Sequence, residues 1–116
     1  MTRWRRRLLA AAAGYAAAMA AAFLDPDFSS RVIAGVPAFG WSWILFATAG
    51  LCVTGMAAVR WTARSGLTVL FLLHLVWTAD QLASLLTGEA MTAVGLALTG
   101  GLSMLWGMML SGWWRP

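Results

Sequence analysis

The chain has 116 residues, of which 61% are hydrophobic and 10% charged, with a net charge of +4 and a mean hydropathy of +0.77. A globular domain ordinarily carries about 25% charged residues, so the composition argues against a soluble domain, and the length leaves room for one domain. The few charges are clumped and leave uncharged runs at 8–24, 32–59, 65–79 and 90–114. A helix needs about 20 apolar residues to cross a hydrocarbon core of about 30 Å. The pattern predicts an all-α membrane protein with four transmembrane helices, both termini in the cytoplasm, and a single polytopic domain over 1–116.

The first predicted span covers 8–24 and includes ten alanines. Asp25-Pro26-Asp27 ends it, because proline cannot continue a helix and two carboxylates are costly in lipid. The second span, 39–59, follows Gly35 and Pro37. Arg60 and Arg64 bracket a turn before the third, 67–86; the alternative start at Trp61 leaves Asp80 and Gln81 at the outer interface. Gly88 and Glu89 turn the chain into the fourth, 91–110, with Trp113, Trp114 and Arg115 behind it.

The arginines set the orientation. With a cytoplasmic N-terminus, Arg3, Arg5, Arg6, Arg7, Arg60, Arg64 and Arg115 lie inside and only Arg31 outside. This is the asymmetry of the positive-inside rule. Trp4, Trp41, Trp43, Trp61, Trp113 and Trp114 fall at span ends, where indoles sit at the headgroup level. The Arg3–Arg7 cluster therefore reads as an anchor on the negative cytoplasmic leaflet, and no nucleic-acid partner is expected. The same basic start, with the small residues Ala20-Ala21-Ala22, also fits a secretory signal peptide. Cleavage there would leave three spans in the same orientation.

Small residues recur every fourth position: Ala10, Gly14, Ala18 and Ala22 in the first span, Gly50, Thr54 and Ala58 in the second, and Gly95, Thr99, Ser103, Gly107 and Ser111 in the fourth. Lipid supplies no hydrophobic drive between helices, so close backbone approach through small residues is how spans associate. These rows predict tight crossings within the chain or between copies.

The third span is the polar one. His74 lies near its middle, with Trp77, Thr78 and Gln81 on the same face and Asp80 and Ser84 beside it. Intramembrane ionisable residues mark proton relays and ion paths, and histidine ordinarily titrates near neutral pH. Asp80 lies about 9 Å along the helix from His74 and off its face, which favours a structural, hydrogen-bonding role for the stripe.

One histidine and one cysteine, Cys52, make no ligand pair of useful spacing even with Met104, Met108 and Met109 nearby. No metal or cofactor is expected. No nucleophile–base pair, glycine-rich phosphate loop or paired carboxylates stand in the sequence, so no catalytic activity is expected.

The stretch from Val36 to Leu51, with Pro37, Trp41, Trp43 and Gly50, resembles small multi-span membrane proteins of actinobacterial phages and their hosts. The turn at Arg60 and Arg64 and the span with His74 and Trp77 continue the likeness, which covers about half the chain. The resemblance implies a bacterial inner-membrane, holin-like protein whose homo-oligomers open lesions. The residues themselves fit two other classes as well: an accessory subunit packed against a larger membrane protein, or a minimal transporter using His74 or Asp80.

Overall fold

The structure is a computed structural model that describes residues 3–27, 32–57, 60–88 and 93–114, with side-chain surroundings at 3–27, 32–57, 61–88 and 97–112. Among the described residues the elements run α1 (Arg3–Phe23), β1 (Val32–Ile33), β2 (Val36–Pro37), α2 (Ala38–Met56), α3 (Arg60–Leu86) and α4 (Ala93–Trp114). Met91, where the fourth span was expected to start, lies outside the described residues, as do Val59, Ala58 and Glu89. The chain divides into two compact units, Met1–Leu67 and Thr68–Pro116, with the boundary inside α3.

The fold is all-helical apart from the hairpin. Two helices, over Ala38–Met56 and Trp61–Leu86, are long and apolar enough to cross a membrane. Only 33% and 22% of those two stretches are buried inside the chain, whereas the core helix of a soluble protein is mostly buried. Among the described residues the expectation of four such helices is met by two. In α1, four arginines occupy positions within the helix, and alanine, its commonest residue, is only weakly apolar. The α4 helix, Ala93–Trp114, runs 22 residues.

In the first unit, α1 packs antiparallel on α2. Its buried face is Leu9, Ala12, Ala13, Ala16, Ala20 and Phe23, spaced as one face of a helix. The expected row Ala10, Gly14, Ala18 and Ala22 lies instead on the exposed side, and a Cβ on Gly14 would meet nothing within 4 Å. An alanine-rich helix offers a small-residue row on every side, so the rare bulky residues, Leu9 and Phe23, decide which row turns inward. The row in α2 is likewise outward. Gly50 and Thr54 are exposed, and the buried positions are Ala38, Trp41, Ser42, Leu45, Thr48, Ala49, Cys52 and Gly55.

A hydrogen bond fastens this pair: Ser42 Oγ donates to the Ala20 carbonyl across 2.9 Å. Inter-helix hydrogen bonds of this kind contribute about 0.6 kcal/mol on average and up to about 1.7. Ser42→Ala keeps the close approach and loses the bond. It is expected to lower the stability of the purified protein in mild detergent by about 1 kcal/mol, read from thermal unfolding.

Between these helices, β1 and β2 pair antiparallel with Val32 opposite Pro37 and Ile33 opposite Val36. Ala34 (φ 51°) and Gly35 (φ 80°) take positive φ at both turn positions, which is what a two-residue hairpin of this hand demands. Trp41 Nε1 donates to the Ile33 carbonyl at 2.8 Å and holds the hairpin on the first turn of α2. Pro37 then starts the helix at φ −58°, a value its ring supplies. Trp41 is thus buried under the hairpin, unlike the interfacial position expected for it, while Trp4, Trp43 and Trp61 are exposed.

The end of α2 meets the start of α3 at very short range. A Cβ on Gly55 would lie 2.7 Å from Ala63 Cβ, and one on Gly66 would lie 2.8 Å from Cys52 Sγ. The α3 helix begins at Arg60, and its apolar stretch runs Trp61–Leu86, the alternative start rather than residue 67.

Candidate functional site

The polar residues of α3 and the small residues of α4 form one seam inside the second unit. Phe71 stands against Gly107, whose added Cβ would be 3.0 Å from the ring; Thr78 Cγ2 lies 3.8 Å from the Cβ position of Gly100. Thr99 Oγ1 donates to Gln81 Oε1 at 3.2 Å. These contacts run in opposite chain directions, so α3 and α4 are antiparallel here. Thr99, Ser103 and Gly107 repeat every fourth residue and therefore share the α4 face that meets α3.

His74 is fully buried in this seam. Its Nδ1 lies 2.7 Å from the Leu70 carbonyl. A carbonyl oxygen only accepts, so Nδ1 carries the proton and the ring's tautomer is set by its own helix. The Trp77 ring meets the imidazole edge-on, with centroids 5.0 Å apart and planes at 64°, and the Trp106 ring lies 6.2 Å away at 53°. Edge-to-face ring pairs contribute about 0.5–1.5 kcal/mol beyond the area they bury. Thr78 Oγ1 donates to the His74 carbonyl at 2.6 Å, so this hydroxyl is satisfied within its own helix.

Ser103 is 4% exposed, and its hydroxyl has no hydrogen-bond partner among the described residues. Asp80 is half-exposed and lies off the seam. Ser111 is exposed and donates to the Met108 carbonyl at 2.8 Å. Gly95 lies in α4, but its surroundings fall outside the described residues. The structure therefore joins His74, Thr78 and Gln81 to Thr99, Ser103 and Gly107 and leaves Asp80 apart. Trp106 is the seam residue that sequence reasoning missed. Its signal was position, since it stands three residues after Ser103 in mid-helix rather than at a span end.

Chemically, the seam offers hydroxyl, amide and imidazole groups in an apolar wall, with the carboxylate displaced from them. That set suits inter-helix hydrogen bonding and ring packing. Among the described residues no three His, Cys, Asp or Glu side chains gather to hold a metal.

The arginines expected to orient the chain sit at helix starts. Arg3, Arg6 and Arg7 are exposed, Arg5 and Arg64 half-exposed, and Arg60 opens α3 with its side chain outside the described residues. No protein-family model, curated protein or solved structure matches the chain.

Proposed function

We propose that this is a small polytopic protein of the bacterial inner membrane, with its four helices crossing the bilayer and both termini in the cytoplasm. In this reading it acts by accumulating into homo-oligomers that permeabilise the membrane, as holins do. The observation that carries the membrane reading is the outward apolar surface of the two long helices. Phe46 and Val53 on α2 and Leu72, Leu75, Val76 and Leu82 on α3 are exposed. Each fully buried side chain of this size is favoured by about 1.5–3 kcal/mol over its exposed state, and lipid supplies that burial.

Self-association is supported by the outward row of α1. Ala10, Gly14, Ala18 and Ala22 offer a shallow face on which a second helix can approach closely. Retention of α1 is supported by its packing, since Leu9, Ala12, Ala16 and Ala20 are fully buried in the first unit. A minimal transporter has less support, because His74 is enclosed by Leu70, Trp77 and Trp106 while Asp80 stands off the seam. An accessory subunit would use the same outward face against a different partner.

Induced expression in a bacterial host tests the reading. The membrane potential is expected to hold during accumulation and then collapse abruptly, with crosslinking showing multimers before the collapse. Harmless accumulation to high level overturns it, and co-purification with one host membrane protein in fixed ratio supports the subunit class.

A further inference from the structure

The first unit brings two arginine clusters that are far apart in sequence to one end of the fold. The α1 and α2 helices are antiparallel, as the bond from Ser42 near the start of α2 to Ala20 near the end of α1 requires. The end of α2 meets the start of α3 through Gly55–Ala63 and Gly66–Cys52. At 1.5 Å per residue, α1 and α2 are of similar length, so the start of α3 lies at the same end as the start of α1. Arg3, Arg5, Arg6, Arg7, Arg60 and Arg64 therefore share that end, and Asp25 and Asp27 lie at the other. Trp4 and Trp61 stand at the same two helix starts and are 68% and 67% exposed.

This charge placement works against the helices that carry it. A helix start is the positive pole of the macrodipole and favours acidic residues, yet neither α1 nor α3 has an acid in its first turn. Arg3 also lies three and four residues from Arg6 and Arg7, the spacings at which like charges repel on a helix surface. The arrangement costs the isolated fold stability, and an anionic surface outside the chain reverses the sign of both terms. Exposed indoles beside the arginines place that surface at a membrane headgroup layer, where tryptophan sits by preference.

We propose that the arginine end of the first unit, where Arg3, Arg6 and Arg7 are exposed beside Trp4 and Trp61, is a docking surface for anionic phospholipid headgroups, which bind through their phosphates. Arginine suits this occupant because its planar fork pairs with two phosphate oxygens at once. The proposal requires only that the chain sits in a bilayer, and it stands or falls separately from permeabilisation by homo-oligomers.

The test titrates purified full-length protein in neutral detergent with phosphatidylglycerol, phosphatidylcholine or soluble glycerol phosphate. The midpoint of thermal unfolding is followed, and retained lipids are counted by native mass spectrometry. Phosphatidylglycerol is expected to raise the midpoint and to be retained, and the other two are not. Each arginine near an anionic surface contributes about fivefold in affinity. The triple variant Arg3→Gln, Arg6→Gln, Arg7→Gln should then need about 100-fold more phosphatidylglycerol for half the effect. Lysine at the same three positions keeps the charge and should recover most of the affinity, which separates loss of binding from loss of fold. Equal responses to phosphatidylcholine and phosphatidylglycerol overturn the proposal. So does a glutamine variant that binds as tightly as the native chain, or full reproduction of the shift by soluble glycerol phosphate.

Discussion

Gly55→Ala is expected to destabilise the protein more than any other single-methyl change in α2. The new Cβ would lie 2.7 Å from Ala63 Cβ, 2.8 Å from Ala63 Cα and 2.9 Å from Ala63 N. Two of those three atoms are backbone, so no rotamer change relieves the overlap and the helices must move apart. Overpacking a well-packed site costs about 1–3 kcal/mol. Gly55 is the penultimate residue of α2, so the gain that replacing a helix-interior glycine brings offsets little of this. Gly55→Leu, which adds three further carbons at the same point, is expected to prevent the crossing of α2 and α3 altogether. Gly50→Ala is the matched control: it stands five residues earlier in the same helix with nothing within 4 Å, and should be neutral or slightly stabilising. Thermal unfolding in mild detergent, read by the far-UV signal, compares the three. Equal stability of Gly55→Ala and Gly50→Ala would contradict the close contact.

That contrast between two glycines of one helix shows where the sequence could be read and where it could not. Helical class, the breaks near residues 25 and 88, and the membership of His74, Thr78 and Gln81 in one stripe follow from spacing alone, whereas the turn expected at Arg60–Arg64 falls before Arg60. Each depends only on local periodicity or on a residue that stops a helix. Which small-residue row turns inward is a different matter. Gly50 and Gly55, or Ala18 and Ala20, are equivalent in propensity, and the choice is made by the partner helix: Ser42 selects the row of Ala20, and Ala63 selects Gly55. The hairpin was hidden for a similar reason, since Ala34 takes a positive φ that alanine does not advertise. Trp41 and Trp43 show the same limit. Both stand at the start of α2, but only Trp41 faces the hairpin carbonyl that accepts its N–H, and Trp43 remains outside.

The seam adds a converse lesson. The polar stripe of α3 and the small-residue row of α4 are two separate patterns in the sequence, and in the structure they are two sides of one contact. A small residue opposite a polar one lets the helices approach until Thr99 reaches Gln81. It also seats the ring of Phe71 over Gly107. A histidine in such a contact has an explanation that needs no transport chemistry, because its Nδ1 is held by Leu70 and its ring packs against two indoles.

Substitutions at His74 separate that structural role from a chemical one. His74→Ala removes the imidazole that packs against Trp77 and Trp106 and leaves a void where the side chain is now fully buried. Large-to-small changes at buried positions cost about 2–5 kcal/mol, so this variant is expected to unfold readily in detergent and to accumulate poorly. His74→Leu keeps most of the volume and discards the titratable group together with the bond to the Leu70 carbonyl. That carbonyl is an acceptor of the helix ladder in any case, and volume-conserving core changes cost below about 1.5 kcal/mol. A structural His74 therefore predicts that His74→Leu accumulates, associates and collapses the membrane potential on the same schedule as the native protein. Ion flux through reconstituted liposomes, compared between the two variants and Asp80→Asn, supplies the opposing outcome. Loss of flux in His74→Leu and Asp80→Asn with helicity and thermal stability intact would mean that the imidazole and the carboxylate act together. The transporter reading would then displace permeabilisation by oligomers.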